Sequence, residues 1–80
     1  MEIDIDVRSK TPSYRQLADQ LRAAIASGEY GTDGPIPSLT QLRQQTGLAQ
    51  ATIQKAIRIL VDEGVVITVS GRGTFVAAPF

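Results

Sequence analysis

From Ile3 to Val7 apolar and acidic side chains alternate, the period of a half-exposed strand or an extended arm. The period then changes. Tyr14, Leu17, Ala18, Leu21, Ala24 and Ile25 recur three and four residues apart, which predicts an amphipathic helix. Thr11 is expected to cap it, with Pro12 in the first helical position and Gly28 as the stop. On its polar side Arg15 and Asp19 stand one turn apart, the spacing of an ion pair. Residues 28–37 hold Gly28, Gly31, Gly34, Pro35 and Pro37 and read as a turn. Ser38-Leu39-Thr40-Gln41 has the spacing of a capping box, a hydroxyl followed three residues later by Gln. A short helix is predicted from there, with Leu39 and Leu42 inward and an end at Gly47. Two residues later helical spacing resumes at Ile53, Ala56, Ile57, Leu60 and Val61, and Gly64 closes it. Val65 to Val69 contains only β-branched residues and predicts a strand. Ser70-Gly71-Arg72-Gly73 makes a turn, and Thr74 to Ala77 returns as a second strand.

The order arm, helix, helix, helix, hairpin predicts an α+β fold. Two helices joined by a tight glycine-containing turn make a helix-turn-helix. The pair is expected to pack on the first helix as a three-helix core, with the hairpin covering one side. The expected division is an N-terminal arm at 1–10, one domain at 11–77, and a tail or start of a linker at 78–80. A chain of 80 residues suits a single domain. Leu, Ile, Val and Phe number 22 of the 80, above the roughly one-fifth below which disorder is expected.

Composition removes several classes of function. There is no Cys and no His, so disulfides, thiolate chemistry and the usual zinc and copper sites are excluded. No metal and no cofactor are expected. Ser13, Ser38 and the scattered Asp residues have no His to serve as a base, so no enzyme is expected. No run approaches the ~20 apolar residues of a membrane span, and the acidic start with Glu2, Asp4 and Asp6 is not a signal peptide. A cysteine-free chain fits a reducing compartment, and a cytoplasmic location is expected.

Eight Lys+Arg balance eight Asp+Glu, which at first argues against a polyanionic partner. The distribution removes that objection. From Gly34 to Val61 there is no acidic residue, while Arg43, Lys55 and Arg58 lie inside, a local balance of +3. A polyanion responds to the local field rather than to the total.

In DNA-binding versions of a helix-turn-helix the second helix lies in the major groove, with its N-terminal residues at base edges. That region here holds Gln50, Ala51, Thr52, Gln54, Lys55 and Arg58. Gln50, Ala51, Gln54 and Arg58 fall on the face opposite Ile53, Ala56, Ile57 and Leu60, so they project outward with no role in the core. Gln pairs with adenine N6 and N7 together, and Ala or the Thr methyl touches a thymine methyl. Lys55 and Arg58 suit phosphates. At the hairpin tip Arg72 stands between Gly71 and Gly73, where the backbone comes close to DNA and the guanidinium can enter a narrow minor groove.

Taken together, these residues resemble the N-terminal winged helix-turn-helix domain of the GntR family of bacterial transcription regulators. The resemblance spans Pro12 to Leu17, Leu21 to Gly28, Ile36-Pro37-Ser38, Thr52-Ile53, Ala56-Ile57, Leu60, Glu63-Gly64 and Gly71 to Val76. It implies a winged helix that binds palindromic operators on double-stranded DNA as a homodimer. The arm at 3–7 or the hairpin edge is a candidate for such pairing. It also implies an attached C-terminal effector domain. The chain ends close to where that family's linker begins, as expected of an excised domain or of a regulator without one.

The sequence departs from the family where the family touches DNA. Ser38 is kept, but Thr40 stands where the family has Arg. Ala49-Gln50 stand in place of Ser-Arg, and Gln54 in place of Arg. Losing Ser at Ala49 removes a helix cap, at a cost of roughly 0.5–2 kcal/mol. Arg43 and Thr46 replace the family's Ala and Leu, and the Arg43 stem is expected to lie over apolar surface. Two outcomes follow for DNA. Binding is less salt-dependent, or Gln50 and Gln54 read a more A·T-rich site. The alternative is a winged-helix protein–protein interaction module that has lost operator binding. The expected DNA-contacting set is Ser38, Thr40, Gln50, Ala51, Thr52, Gln54, Lys55, Arg58, Gly71, Arg72 and Gly73.

Overall fold

The structure is a computed structural model that describes residues 3–31 and 34–77. Three helices and a hairpin follow one another: α1 Ser13–Ala26, α2 Leu39–Thr46, α3 Gln50–Asp62, β1 Val66–Val69 and β2 Gly73–Val76. The expected tail at 78–80 lies outside the described residues.

The apolar stripes meet in one core. Leu17 and Leu21 from α1, Leu42 from α2, Ile53 and Leu60 from α3, and Val66 and Val76 from the hairpin are all fully buried. Each such side chain contributes roughly 1.5–3 kcal/mol relative to exposure. α1 and α3 carry five and three buried residues, whereas α2 buries Leu42 alone.

The helix starts differ from one another. Ser38 Oγ accepts from the Gln41 N–H at 3.2 Å, and the Ser38 N–H donates to Gln41 Oε1 at 2.9 Å. The reciprocal capping box predicted for α2 is therefore formed. At α1 the expectation shifts by one residue. Pro12 itself is the N-cap, no side chain caps the helix, and the Pro12 carbonyl accepts from Arg15 and Gln16. At α3 the N-cap is Ala49, again without a side-chain bond.

Between α2 and α3 the backbone reverses at Gly47, which adopts a left-handed φ of 71°. A side chain there would meet open space, so the requirement for glycine is conformational rather than steric.

The N-terminal arm is extended from Ile3 to Asp6, but it pairs with no strand among the described residues. Two glutamine amides of α1 hold it instead. Gln20 accepts from the Asp4 N–H at 2.9 Å and donates to the Asp4 carbonyl at 2.6 Å. Gln16 does the same for Asp6, at 2.8 and 2.7 Å. Four helical residues advance about 6 Å and two extended residues about 6.6 Å, so glutamines one turn apart meet alternate residues of the arm. Ile3 and Ile5 then pack against the core. Val7 departs from the predicted alternation: it is exposed and sits in a turn closed by the Ser9 N–H on the Asp6 carbonyl.

β1 and β2 pair antiparallel, with Val66 opposite Val76 and Val69 opposite Gly73. Residues 34–36, inside the stretch expected to be a turn, add a third edge. Ile36 N–H donates to the Thr74 carbonyl at 3.0 Å, Val76 N–H donates to the Gly34 carbonyl at 2.9 Å, and Pro35 bridges Phe75. The residues bonding to β2 are 34 and 36, so the N–H that Pro35 lacks would have faced away from the ladder. A side chain on Gly34 would run into the Tyr30 carbonyl, which explains the glycine.

Candidate nucleic-acid interface

The outer face of α3 follows from its period. Ile53, Ala56 and Leu60 point inward and are buried, which leaves Gln50, Ala51, Gln54, Lys55 and Arg58 exposed. Thr52 is half-buried. The wing tip is formed by the Arg72 N–H donating to the Val69 carbonyl at 3.0 Å, with Gly71 at a φ of 77° and Gly73 at 117°. Those angles disfavour residues with a Cβ, and Arg72 between them is exposed.

The predicted residues fall into groups. Ser38, Gln54, Lys55, Arg58 and Gly73 line one groove between α2, α3 and the wing, together with Thr68 and Thr74. Ser38, Arg72 and Gly73 line an adjoining depression with Tyr30 and Gln41. Thr40 lies elsewhere, in a hollow with Arg43, Gln44, Gly47 and Leu48. Gln50, Ala51 and Thr52 form the first turn of α3, outside the groove, and Gly71 stays at the tip. Ser38 also has a structural duty, because its hydroxyl oxygen accepts the capping bond.

The charged side chains sort differently from the sequence expectation. Asp19 pairs with Arg22 at 2.7 Å rather than with Arg15. Arg22 also reaches Glu63 with two parallel bonds, Nε to Oε1 and Nη2 to Oε2, each 2.7 Å. The hydrogen bonds to Glu63 and then Asp19 raise the Arg22 guanidinium pKa further. The bond from Arg22 holds the Glu63 carboxyl below its usual range. This cluster joins α1 to the C-terminal end of α3, away from the exposed first turn. Arg58 stands 3.7 Å from Asp62, with both side chains exposed. Water screens such a pair strongly, so Arg58 remains able to exchange Asp62 for a phosphate. Lys55 Nζ lies 4.2 Å from the centroid of the Tyr14 ring, a contact between residues 41 apart in the chain that no local spacing predicts. Arg43 is exposed, and Leu42 beside it carries the packing of α2.

The described helices include none long and apolar enough to cross a membrane. The described residues include no cluster of acidic side chains arranged to hold a metal.

Comparison with known proteins identifies the family and the fold. The family model for bacterial regulatory proteins of the gntR family matches residues 13–76. The chain is 38% identical over 77 residues to the HTH-type transcriptional repressor NagR of Bacillus subtilis (strain 168), a match covering 96% of this chain and 32% of NagR. It therefore spans about a third of that relative's length. Among solved structures it resembles YtrA from Sulfolobus acidocaldarius, a GntR-family transcription factor. The TM-score is 0.88 and the identity 39%, over 100% of this chain and 84% of that one. It also resembles the AraR DNA-binding domain in complex with operator ORE1, with a TM-score of 0.82 and 35% identity, over 96% of this chain and 94% of that one. The matched segment runs from α1 through β2, and so the chain belongs to the GntR family of bacterial transcription regulators, with residues 13–76 as its winged helix-turn-helix DNA-binding domain.

Proposed function

We propose that the domain reads an operator on double-stranded DNA with α3 in the major groove and the wing in the minor groove. One observation carries this reading: the outward face of α3 is largely polar and free of acids from Gln50 to Val61, and it shares a groove, with Asp62 at its far end, with a wing whose tip presents Arg72. Gln50 and Gln54 then meet base edges, Ala51 and Thr52 approach thymine methyls, and Lys55 and Arg58 meet phosphates. Arg72, with Gly71 and Gly73 letting the backbone approach, enters the minor groove. Ser38 and Thr40 sit at the start of α2, on the side facing the sugar-phosphate backbone.

The proposed divisions are an arm at 1–10, the reading domain at 11–77 and a tail or start of a linker at 78–80. The role is non-catalytic, as the naming of NagR as a transcriptional repressor supports. A bacterial cytoplasmic repressor that binds a palindrome as a homodimer is the setting in which one half-site per domain gives useful affinity. With three bases and no acids from 34 to 61, the electrostatic contribution is modest, and base contacts supply much of the selectivity.

Selection of bound sequences from a random duplex pool tests the reading. Enrichment of one motif, repeated with two-fold symmetry at a fixed spacing, is expected. Recovery of the starting pool at low salt would overturn it.

A further inference from the structure

Lys55 and Arg58 are both exposed cations of α3, and they are held in opposite ways. Arg58 faces a carboxylate, Asp62, whose charge offsets its own. Lys55 faces the ring of Tyr14 at 4.2 Å. A ring attracts an ammonium through its quadrupole and carries no net charge, so the cation is localised without being cancelled. The platform is firm. Tyr14 sits in the first turn of α1, is half-buried and packs against the core. A lysine side chain otherwise samples many rotamers, and that freedom is lost when it engages a phosphate.

We propose that Tyr14 is a positioning residue of the DNA interface, its ring holding the charged Lys55 ammonium at the junction of α1 and α3 to meet one backbone phosphate. This rests on the DNA-binding reading above. The ring does part of the ordering before DNA arrives, so the interaction between Lys55 and phosphate depends on Tyr14 although Tyr14 itself need not touch DNA.

The test uses the whole chain, the selected duplex and a double-mutant cycle. Lys55→Ala is expected to weaken all sequences alike and to reduce the salt slope of binding by about one unit. Tyr14→Leu is expected to weaken binding about two- to tenfold, and to add nothing further in the Lys55→Ala background. Tyr14→Phe, which keeps the ring, is expected to retain the coupling to Lys55. Tyr14→Met, unbranched and ringless, serves the same purpose as the Leu variant if that one does not fold.

In the free protein the Lys55 Hε protons are expected to show an upfield ring-current shift in NMR, kept by Tyr14→Phe and lost by Tyr14→Leu or Tyr14→Met. Additive losses in the cycle, tighter binding by Tyr14→Leu, or an absent ring-current shift each overturn the proposal. If the wild-type chain enriches no duplex while the shift is present, the DNA reading has failed and takes this role of Tyr14 with it. If duplexes are enriched and the cycle is additive, the proposal alone has failed.

Discussion

The two helices of the helix-turn-helix begin in opposite ways. α2 starts with a complete capping box at Ser38 and Gln41, whereas α3 starts at Ala49 with no side-chain cap. The difference tracks how each helix is held. α2 has eight residues and buries only Leu42, so its local hydrogen bonds matter. α3 has thirteen residues, buries Ile53, Ala56 and Leu60, and needs less help at its start. Tertiary packing thus releases the first turn of α3 from a structural role, and that turn carries Gln50 and Ala51 on the surface.

The largest test of this contrast is Leu42→Ala. It removes the one fully buried side chain of α2, and an unfolding free energy lower by about 2–5 kcal/mol is expected from denaturant titration, read as a lower midpoint at unchanged slope. A much smaller loss would mean that α2 is held by its cap rather than by its core contact.

Next come the outer faces. Gln54→Ala is expected to cost ~1–3 kcal/mol of discrimination at one base position, while Gln44→Ala, on the exposed side of α2, leaves the selected motif intact. Competition binding against single-base variants of the operator measures both. Equal effects would show that α3 does not read the site as proposed.

The caps follow. Ser38→Ala is expected to lower stability by roughly 0.5–2 kcal/mol, because the hydroxyl that accepts the Gln41 N–H is gone. Ala49→Ser is expected to act in the opposite direction, raising stability by up to about 1 kcal/mol. Thermal melts of the two variants compare them directly. If Ala49→Ser gains nothing, the start of α3 is already satisfied by its packing.

The smallest effect concerns the far end of α3, where Glu63 is the C-cap and meets Arg22. The folded-state pKa of Glu63 is depressed. A depressed carboxylate contributes stability that is present above its unfolded pKa of about 4.3 and is lost as pH falls through the folded value. Melting temperature is therefore expected to fall below about pH 4.3, and Glu63→Gln is expected to flatten that dependence. Both partners are substantially exposed, so the change is modest and shrinks with added salt.

Much of this molecule was legible from short-range patterns. The capping box at Ser38, the reversal at Gly47, the uncapped Ala49 and the outward face of Gln50, Gln54 and Arg58 all depend on spacings of four residues or fewer. The predicted order of three helices and a hairpin is the observed one. Partner choice was less legible. Local spacing favours a pair of Arg15 with Asp19, but Arg22 stands three residues from Asp19 and also faces Glu63, so two carboxylates converge on it. How the site residues group was likewise not legible from local spacing, since Thr40 lies in a separate hollow from the groove shared by α3 and the wing.

What the sequence determined by itself was the set of elements and which face of each points inward, because periodicity and capping act within a turn or two. What only the tertiary structure decided was who meets whom across the core. Gln16 and Gln20 clamp the arm because the rise of one helical turn nearly matches two extended residues. Residues 34–36 join β2 because the turn returns beside it. Lys55 rests on Tyr14 because α1 and α3 pack together. Helical period says which way a side chain points; the distance between segments far apart in the chain decides what it finds there.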